Sequence, residues 1–384
     1  MAKETVNNVS VLPAHIAFSQ SIKGDIDINL SHSCGQSLSV GSLLSYCDGN
    51  RPSLAQLDLS YASVKGSKEL RHSIVAYHQA VYEQSWLKAK HVTTFSGAQE
   101  ALRAIYQALL GSGDEVIVFT PSYPSLQSMV GEMGANIVPI ALDYQTGWQI
   151  DMQALERAFN ANTKLVVINS PHNPTGATFT DSQLEQVLAW CEQHDSYLLL
   201  DEVSQATQYQ KASAKRTLND PRIIFVNVMS KSLGLAGIRL GWTICRDAAL
   251  RNALIAQKTK GSICTSAIDE YFAQLALENY GRILARNNAI VEENIALFNA
   301  FVNEHSWLSW HAPKAGLLAT VKFDVAILGE NSMLDWAKQF TEATGVLLLP
   351  TSLFGLDGPY CRFGLGQKNF SQGIQRLAQY VAKQ

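Results

Sequence analysis

The sequence predicts an α/β protein: a three-layer α/β/α domain around a mostly parallel sheet, joined to a smaller α+β domain built from both chain ends. Three observations carry this. Short, continuously apolar runs bounded by turn residues recur between about 90 and 246, as strands buried on both faces require. Amphipathic stretches at helical spacing lie between them, the alternation that packs helices on both faces of a sheet. At 384 residues the chain exceeds one ordinary domain, and its two ends lack this alternation.

The elements follow in order. Residues 1–30 show little periodicity. The Ala- and Leu-rich stretch 98–110 stops at Gly111 and Gly113, so it predicts a helix with a glycine stop. EVIVFT at 115–120 predicts a strand followed by a proline turn, and NIVPIAL at 136–142 a weaker strand. KLVVIN (164–169) and SYLLLD (196–201) predict buried strands. Between them Thr180 caps a helix over 180–194, with Leu184, Val187, Leu188 and Cys191 on one face. IIFVNV (223–228) and LGWTIC (240–245) are further strands. Residues 265–303 read as helix apart from a turn near Gly281. A strand over 317–323, a helix near 333–344, a strand over 346–350 and a final helix complete the chain. The expected division is a large domain over 45–265 and a small one from 1–44 with 266–384.

Composition excludes several classes. Lys plus Arg total 30 and Asp plus Glu 33, a formal net charge of −3. That is no basic excess for a nucleic acid. No apolar run reaches the ~18–20 residues of a membrane span. The start, MAKETVNNVS, has no apolar core and does not read as a signal peptide. Six scattered cysteines without a C-x-x-C pair suit free thiols in a reducing cytoplasm and predict no metal site. Charged residues are only 16% against 47% hydrophobic, which suggests surface buried against a second copy of the chain.

The chemistry gathers after the strands. Lys231 follows the 223–228 run, within Met229-Ser-Lys-Ser-Leu-Gly-Leu-Ala-Gly-Ile-Arg-Leu-Gly241. A lysine just beyond a buried strand sits where loops meet at the carboxyl edge of a sheet. A partly desolvated amine there can attack a carbonyl and form a Schiff base. Gly234, Gly237 and Gly241 allow close backbone approach, and Arg239 offers a planar fork for a phosphate. Asp201 and Glu202 end the LLL run, either as a helix cap or as a carboxylate paired with a protonated ring nitrogen. Asn169-Ser-Pro-His-Asn-Pro-Thr-Gly176 is a rigid loop that holds Asn173 at the same edge. Ser96-Gly97 opens a helix whose free N–H groups form an anion cradle. Tyr123, in Pro121-Ser-Tyr-Pro124, could cover the face of a flat cofactor or belong to the core.

In this order the motifs S-G-A-Q-E-A-L, P-S-Y-P, N-S-P-H-N-P-T-G, L-L-D-E and S-K-S-L-G-L-A-G-I-R-L-G-W resemble the class I/II aminotransferases, the fold type I pyridoxal 5'-phosphate (PLP) enzymes, over about residues 25–384. The resemblance implies that Lys231 binds PLP as a Schiff base, Asp201 pairs with its ring nitrogen, and Asn173 bonds its phenolic oxygen. Tyr123 would stack on the ring, and Gly97, Ala98, Gln99, Ser230 and Arg239 would surround the phosphate. The segment from Tyr61 to Arg71 looks like the family's Tyr-x4-Gly-x3-Leu-Arg motif, whose Tyr reaches the neighbouring subunit's phosphate, so a homodimer is implied. Cys361-Arg362-Phe-Gly looks like the strand whose Arg grips a substrate carboxylate. Asn29-Leu-Ser-His32-Ser-Cys-Gly35 matches the segment that approaches substrate; its His32 could contact substrate or be a solvated or capping histidine.

Two positions depart from the family. Ser204 stands where a Tyr is usual, and Val228 where Ser or Thr is frequent. The Tyr61–Arg71 region and the Val-Leu-Leu-Leu-Pro-Thr-Ser-Leu-Phe-Gly stretch also look similar to capreomycidine synthase, a PLP enzyme that cyclises a hydroxylated arginine. The resemblance therefore implies Cα deprotonation of an L-amino acid leading to transamination, or alternatively to elimination and cyclisation. Asp25, Asp27 and Asp48 are candidates for holding a guanidinium. A PLP-fold regulator would need an added DNA-binding module, for which residues before 28 leave no room. A nicotinamide enzyme is disfavoured by the lack of G-x-G-x-x-G after the first strand.

Overall fold

The computed structural model describes residues 12–47, 54–209 and 215–384. The described chain opens with α1 (Ala14–Ser21), β1 (Ile28–Asn29) and α2 (Val40–Leu44). Helix α3 (Lys68–Tyr82) is capped by Ser67, whose side chain accepts the Leu70 N–H, and buries Leu70, Ile74 and Tyr77 along one stripe. The alternating region follows: β2 (Val92–Phe95), α4 (Ala98–Leu109), β3 (Glu115–Thr120), α5 (Ser125–Glu132), β4 (Asn136–Ala141), α6 (Met152–Ala158), β5 (Thr163–Asn169), α7 (Asp181–Gln193), β6 (Tyr197–Asp201), β7 (Ile223–Val228) and β8 (Gly241–Cys245). Thr180 caps α7 in a reciprocal box with Gln183. Then come α8 (Ala248–Lys260), α9 (Ala267–Glu278), α10 (Tyr280–Glu304), β9 (Leu308–Trp310), β10 (Leu318–Phe323), α11 (Met333–Thr344), β11 (Val346–Leu347), β12 (Leu349–Pro350), β13 (Tyr360–Gly364) and α12 (Phe370–Val381).

Strands β2–β8 form one sheet in the order β2-β8-β7-β6-β5-β3-β4. Every pairing is parallel except those of β8, which runs antiparallel to β7 and β2. The apolar runs are explained by the two faces. Val166, Ile168, Leu198 and Leu200 join the core on one side, and Leu165, Val167 and Leu199 the core on the other. Each fully buried aliphatic chain contributes roughly 1.5–3 kcal/mol, so neither face tolerates a polar residue cheaply. All the parallel strands end at one edge. Register places Asn169 opposite Asp201, and Asp201 opposite Val226. Because β8 is reversed, its first residue, Gly241, lies at that edge too, opposite Val228.

The second body is an antiparallel sheet, β12-β13-β10-β9, with β1 paired in parallel to β11. Thus residues near both chain ends share one core, in which Phe18, Ile28 and Leu30 meet Phe298, Trp336, Phe363 and Leu377. The strand expected over 346–350 is two strands in different sheets. The Ser31 hydroxyl takes the Leu349 N–H at 2.8 Å, so pairing with β1 stops and pairing with β13 begins. Helix α1 and strand β9 have no counterpart in the sequence reading, since α1 lies in a stretch without periodicity. Ala273, Ala276, Leu277, Ile283 and Leu284 pack in the large sheet's core, beyond the expected division at 265/266, and Val291, Ile295 and Phe298 in the other. We propose that the division runs along α10. No helix among the described residues is long and apolar enough to cross a membrane.

Candidate active site

A cavity of about 240 Å³ opens at the carboxyl edge of the large sheet. Its lining includes Lys231, Asp201, Asn173, Tyr123, Ala98, Gln99, Ser204, Ser230 and Arg239. The topology explains the convergence: each follows, ends or precedes a strand at the edge where β8 alone begins.

Asp201 is 6% exposed, and its carboxylate accepts only the Val203 N–H, at 3.3 Å, among the hydrogen bonds of the described residues. Burial pushes its pKa from 3.8 up to about 6, opposed by that N–H and by the Lys231 charge. Glu202 does not compete for this role. It turns away into a buried ion pair with Arg216 at 2.6 Å, and Arg216 also holds Asp181. Asn169 links the neighbouring loops: its Nδ2 donates to the Asp201 carbonyl at 3.1 Å, and its Oδ1 accepts the Asn173 N–H at 2.7 Å. Asn173 is thereby tied to the strand that carries Asp201.

The candidate anion cradle lies at the start of α4. Gly97 precedes α4 at φ 89°, and no side chain caps the helix. The first N–H groups of a helix have no partner within it. A Cβ on Gly97 would lie 2.7 Å from Arg239 Nη2, so only glycine admits the guanidinium this close. Gln99 spends its side-chain amide on Tyr123 Oη (3.3 Å) and Ser125 Oγ (2.6 Å), bracing the loop that carries Tyr123. Arg239 bonds the Ala236 carbonyl at 2.9 Å and is otherwise exposed.

Lys231 Nζ donates to Ser33 Oγ at 2.7 Å and lies 3.8 Å from Cys34 Sγ. Arg362, on β13, is 4% exposed. It donates to Asn173 Oδ1 (3.1 Å) and the Ser31 carbonyl (2.8 Å), and its Cζ stands 4.5 Å from the Phe354 ring centroid. Its Nε has no partner, and no carboxylate pairs with it among the described residues. Burial lowers its pKa to about 10.

Other candidates fall outside this cavity. His32 and Gly35 line an adjoining cleft. There His32 Nδ1 takes the Cys34 N–H (3.3 Å) and Gln367 Nε2 (3.1 Å), which leaves the ring in a bracing position. Tyr61 is 85% exposed and lies with Ser96 and residues 264–268 in a separate cleft. Asp27 pairs with Arg376 at 3.1 Å, and both Asp25 and Asp27 are exposed away from the cavity, so neither is placed to hold a guanidinium there. Asp48 lies outside the described residues.

Sequence reasoning missed Ser33, Cys34 and His15. Past β1 the chain turns at Leu30 and Ser31, and Ser33 and Cys34 both line the cavity while His32 lies in the adjoining cleft. His15, on α1, packs against Phe354 and Tyr123 with ring centroids 5.7 Å away in each case. Burial, with the charges of Arg362 and Lys231, lowers its pKa to about 4. Nothing in the stretch before 30 marked it.

These residues fit PLP. A buried carboxylate, the first turn of α4, an arginine and a lysine amine line one cavity. Comparison with known proteins agrees. Residues 52–373 match the model of the aminotransferase class I and II family, and the chain belongs to that family. It is 26% identical over 339 residues to an aspartate aminotransferase of Sulfurisphaera tokodaii, covering 84% of this chain and 82% of that one. A PLP-dependent aminotransferase from Streptococcus suis superposes with a TM-score of 0.88 at 26% identity, over 97% of this chain and 98% of the other. The PLP-dependent cyclase OrfR shares the fold, with a TM-score of 0.85 at 21% identity and complete coverage of both chains. The protein is thus a PLP-dependent enzyme of the aminotransferase type, as the motifs implied.

Proposed function

We propose that this cavity takes an L-amino acid, removes its Cα proton and passes its amino group to a 2-oxo acid. The observation that carries the reading is Arg362. A guanidinium buried without an anion is costly, and this one faces the cavity wall through Asn173. A substrate α-carboxylate supplies the missing anion, gripped by the planar fork. PLP, when bound, supplies the electron sink for the pair released as the Cα–H bond breaks.

The chain's own residues do the rest. Lys231 forms the covalent attachment and, once displaced, takes the Cα proton. Asp201 sets a negative charge at the cavity floor that a cationic ring nitrogen balances. Asn173 has its Oδ1 committed to Arg362, which leaves Nδ2 as the donor for the phenolic oxygen. The α4 N-terminus, Ser230 and Arg239 hold the phosphate. Tyr123 covers the ring. Exposed Tyr61 completes the phosphate site of a second copy, so the working unit is a homodimer. Six free thiols suit a reducing cytoplasm.

A second reading, elimination and cyclisation of a hydroxylated arginine, draws support from Ser204. It lines the cavity where the family usually supplies a Tyr hydroxyl, and a changed hydrogen bond to the cofactor alters how long the released electrons are held. An amino-acid panel that includes hydroxyarginines, followed by mass spectrometry with and without a 2-oxo acid, separates the two. Turnover that requires the acceptor supports transamination; a dehydrated or cyclised product formed without an acceptor rejects it.

A further inference from the structure

Five consecutive residues, Ser31 to Gly35, hold two cationic side chains of the site, Lys231 and Arg362. Arg362 Nη2 donates to the Ser31 carbonyl at 2.8 Å, and the Ser31 hydroxyl donates back to the Arg362 carbonyl. Two residues on, Ser33 Oγ accepts from Lys231 Nζ at 2.7 Å. Two further on, the Gly35 N–H donates to the Lys231 carbonyl at 2.9 Å, which also accepts the Gly234 N–H at 3.0 Å. The contact is close on all sides. A Cβ on Gly35 would lie 2.9 Å from Asn287 Nδ2, and one on Gly234 2.6 Å from the Gln36 carbonyl oxygen. Asn287 in turn donates to the Ser232 carbonyl at 2.9 Å.

We propose that Ser33 is a positioning residue for the free amine of Lys231, on a strap that fixes this amine relative to the Arg362 grip. A lysine amine ends a flexible four-carbon stem, and an unheld one spends most of its time out of reach. The hydroxyl accepts one N–H and confines the nitrogen to the cavity that both residues line. This serves two moments. Before the cofactor is attached, the held amine adds to the PLP aldehyde, and one water leaves as the C=N bond forms. After substrate has displaced it, the same hold keeps the amine beside Cα as base. The second role rests on the proposed function; the first does not.

The test compares wild type, Ser33→Ala and Ser33→Thr. Two quantities are read from apo-protein: the rate at which the visible band of attached PLP appears, and the affinity for 4-deoxypyridoxine phosphate, which fills the same cradle but has no aldehyde. The expected result is band formation slowed about tenfold in Ser33→Ala, with the analogue's affinity unchanged and the rate restored by Ser33→Thr. Equal loss of both quantities, loss of neither, or failure of Thr to restore the rate overturns the proposal. With an accepted amino acid, exchange of its α-proton in D2O slows in parallel. A wild type that captures PLP but exchanges no α-proton counts against the proposed function, and the Ser33 capture result then stands by itself.

Discussion

Arg362 Nη1 donates to Asn173 Oδ1 at 3.1 Å, and this bond joins a strand of the small sheet to the loop that follows β5 of the large one. The residue proposed to grip the substrate therefore also orients the amide proposed to contact the cofactor. In the proposed function, substrate grip and cofactor contact thus share one hydrogen bond across the two bodies of the fold.

Arg362→Lys keeps the charge and loses the fork. The expected outcome is kcat/KM lowered by about 10- to 100-fold, mostly through KM, with the cofactor's visible band intact. Arg362→Met removes a buried charge that lacks an anion, and should raise the melting temperature of the ligand-free protein while abolishing activity. Steady-state kinetics and thermal melts check both.

Asp201 carries a pH signature. Its folded pKa, about 6, lies above the unfolded 3.8. The folded state therefore binds the proton more tightly, and this contribution is complete below about pH 4. It is lost as pH rises through about 6, by an amount on the order of 3 kcal/mol. Apo Asp201→Asn should melt higher than apo wild type above pH 6, with the gap closing toward pH 4. Addition of PLP should reverse the order, because only the carboxylate balances a protonated ring nitrogen.

Gly97→Ala places a Cβ at φ 89° and 2.7 Å from Arg239 Nη2. That extended positive-φ conformation, with ψ 170°, costs a non-glycine residue about 1–3 kcal/mol, and the guanidinium must swing out of the cradle. Affinity for PLP, measured by fluorescence quenching against apo-protein, should weaken about tenfold, with inorganic phosphate binding weakened in step.

Tyr61 tests the dimer. If it serves the partner's site, Lys231→Ala and Tyr61→Ala proteins, each poorly active, form on mixing hybrids in which one site is wholly wild type. Activity should rise on mixing and subunit exchange. Additive, unrecovered activity would place Tyr61 within its own subunit's site or outside either.

Much of this was legible in the sequence because buried parallel strands read as continuous apolar runs, and their loops carry the chemistry directly after them. Lys231, Asp201, Asn173 and the start of α4 were readable for that reason, and the geometry brings Lys231, Asp201, Asn173, Ala98 and Gln99 into one cavity. His32 and Ser33 lie just past a turn at Leu30 and Ser31, where no periodic pattern tells which side chain faces the cavity. His15 sits on an eight-residue helix without a side-chain cap, where local pattern is weak. The split of 346–350 into two strands depended on Ser31, more than 300 residues away in sequence.

The most direct test of the central claim is borohydride reduction of the holoenzyme followed by peptide mass spectrometry. The expected result is the phosphopyridoxyl mass on the peptide containing Lys231, and its loss in Lys231→Ala. Attachment at a different lysine, or retention of the mass in that variant, would contradict it.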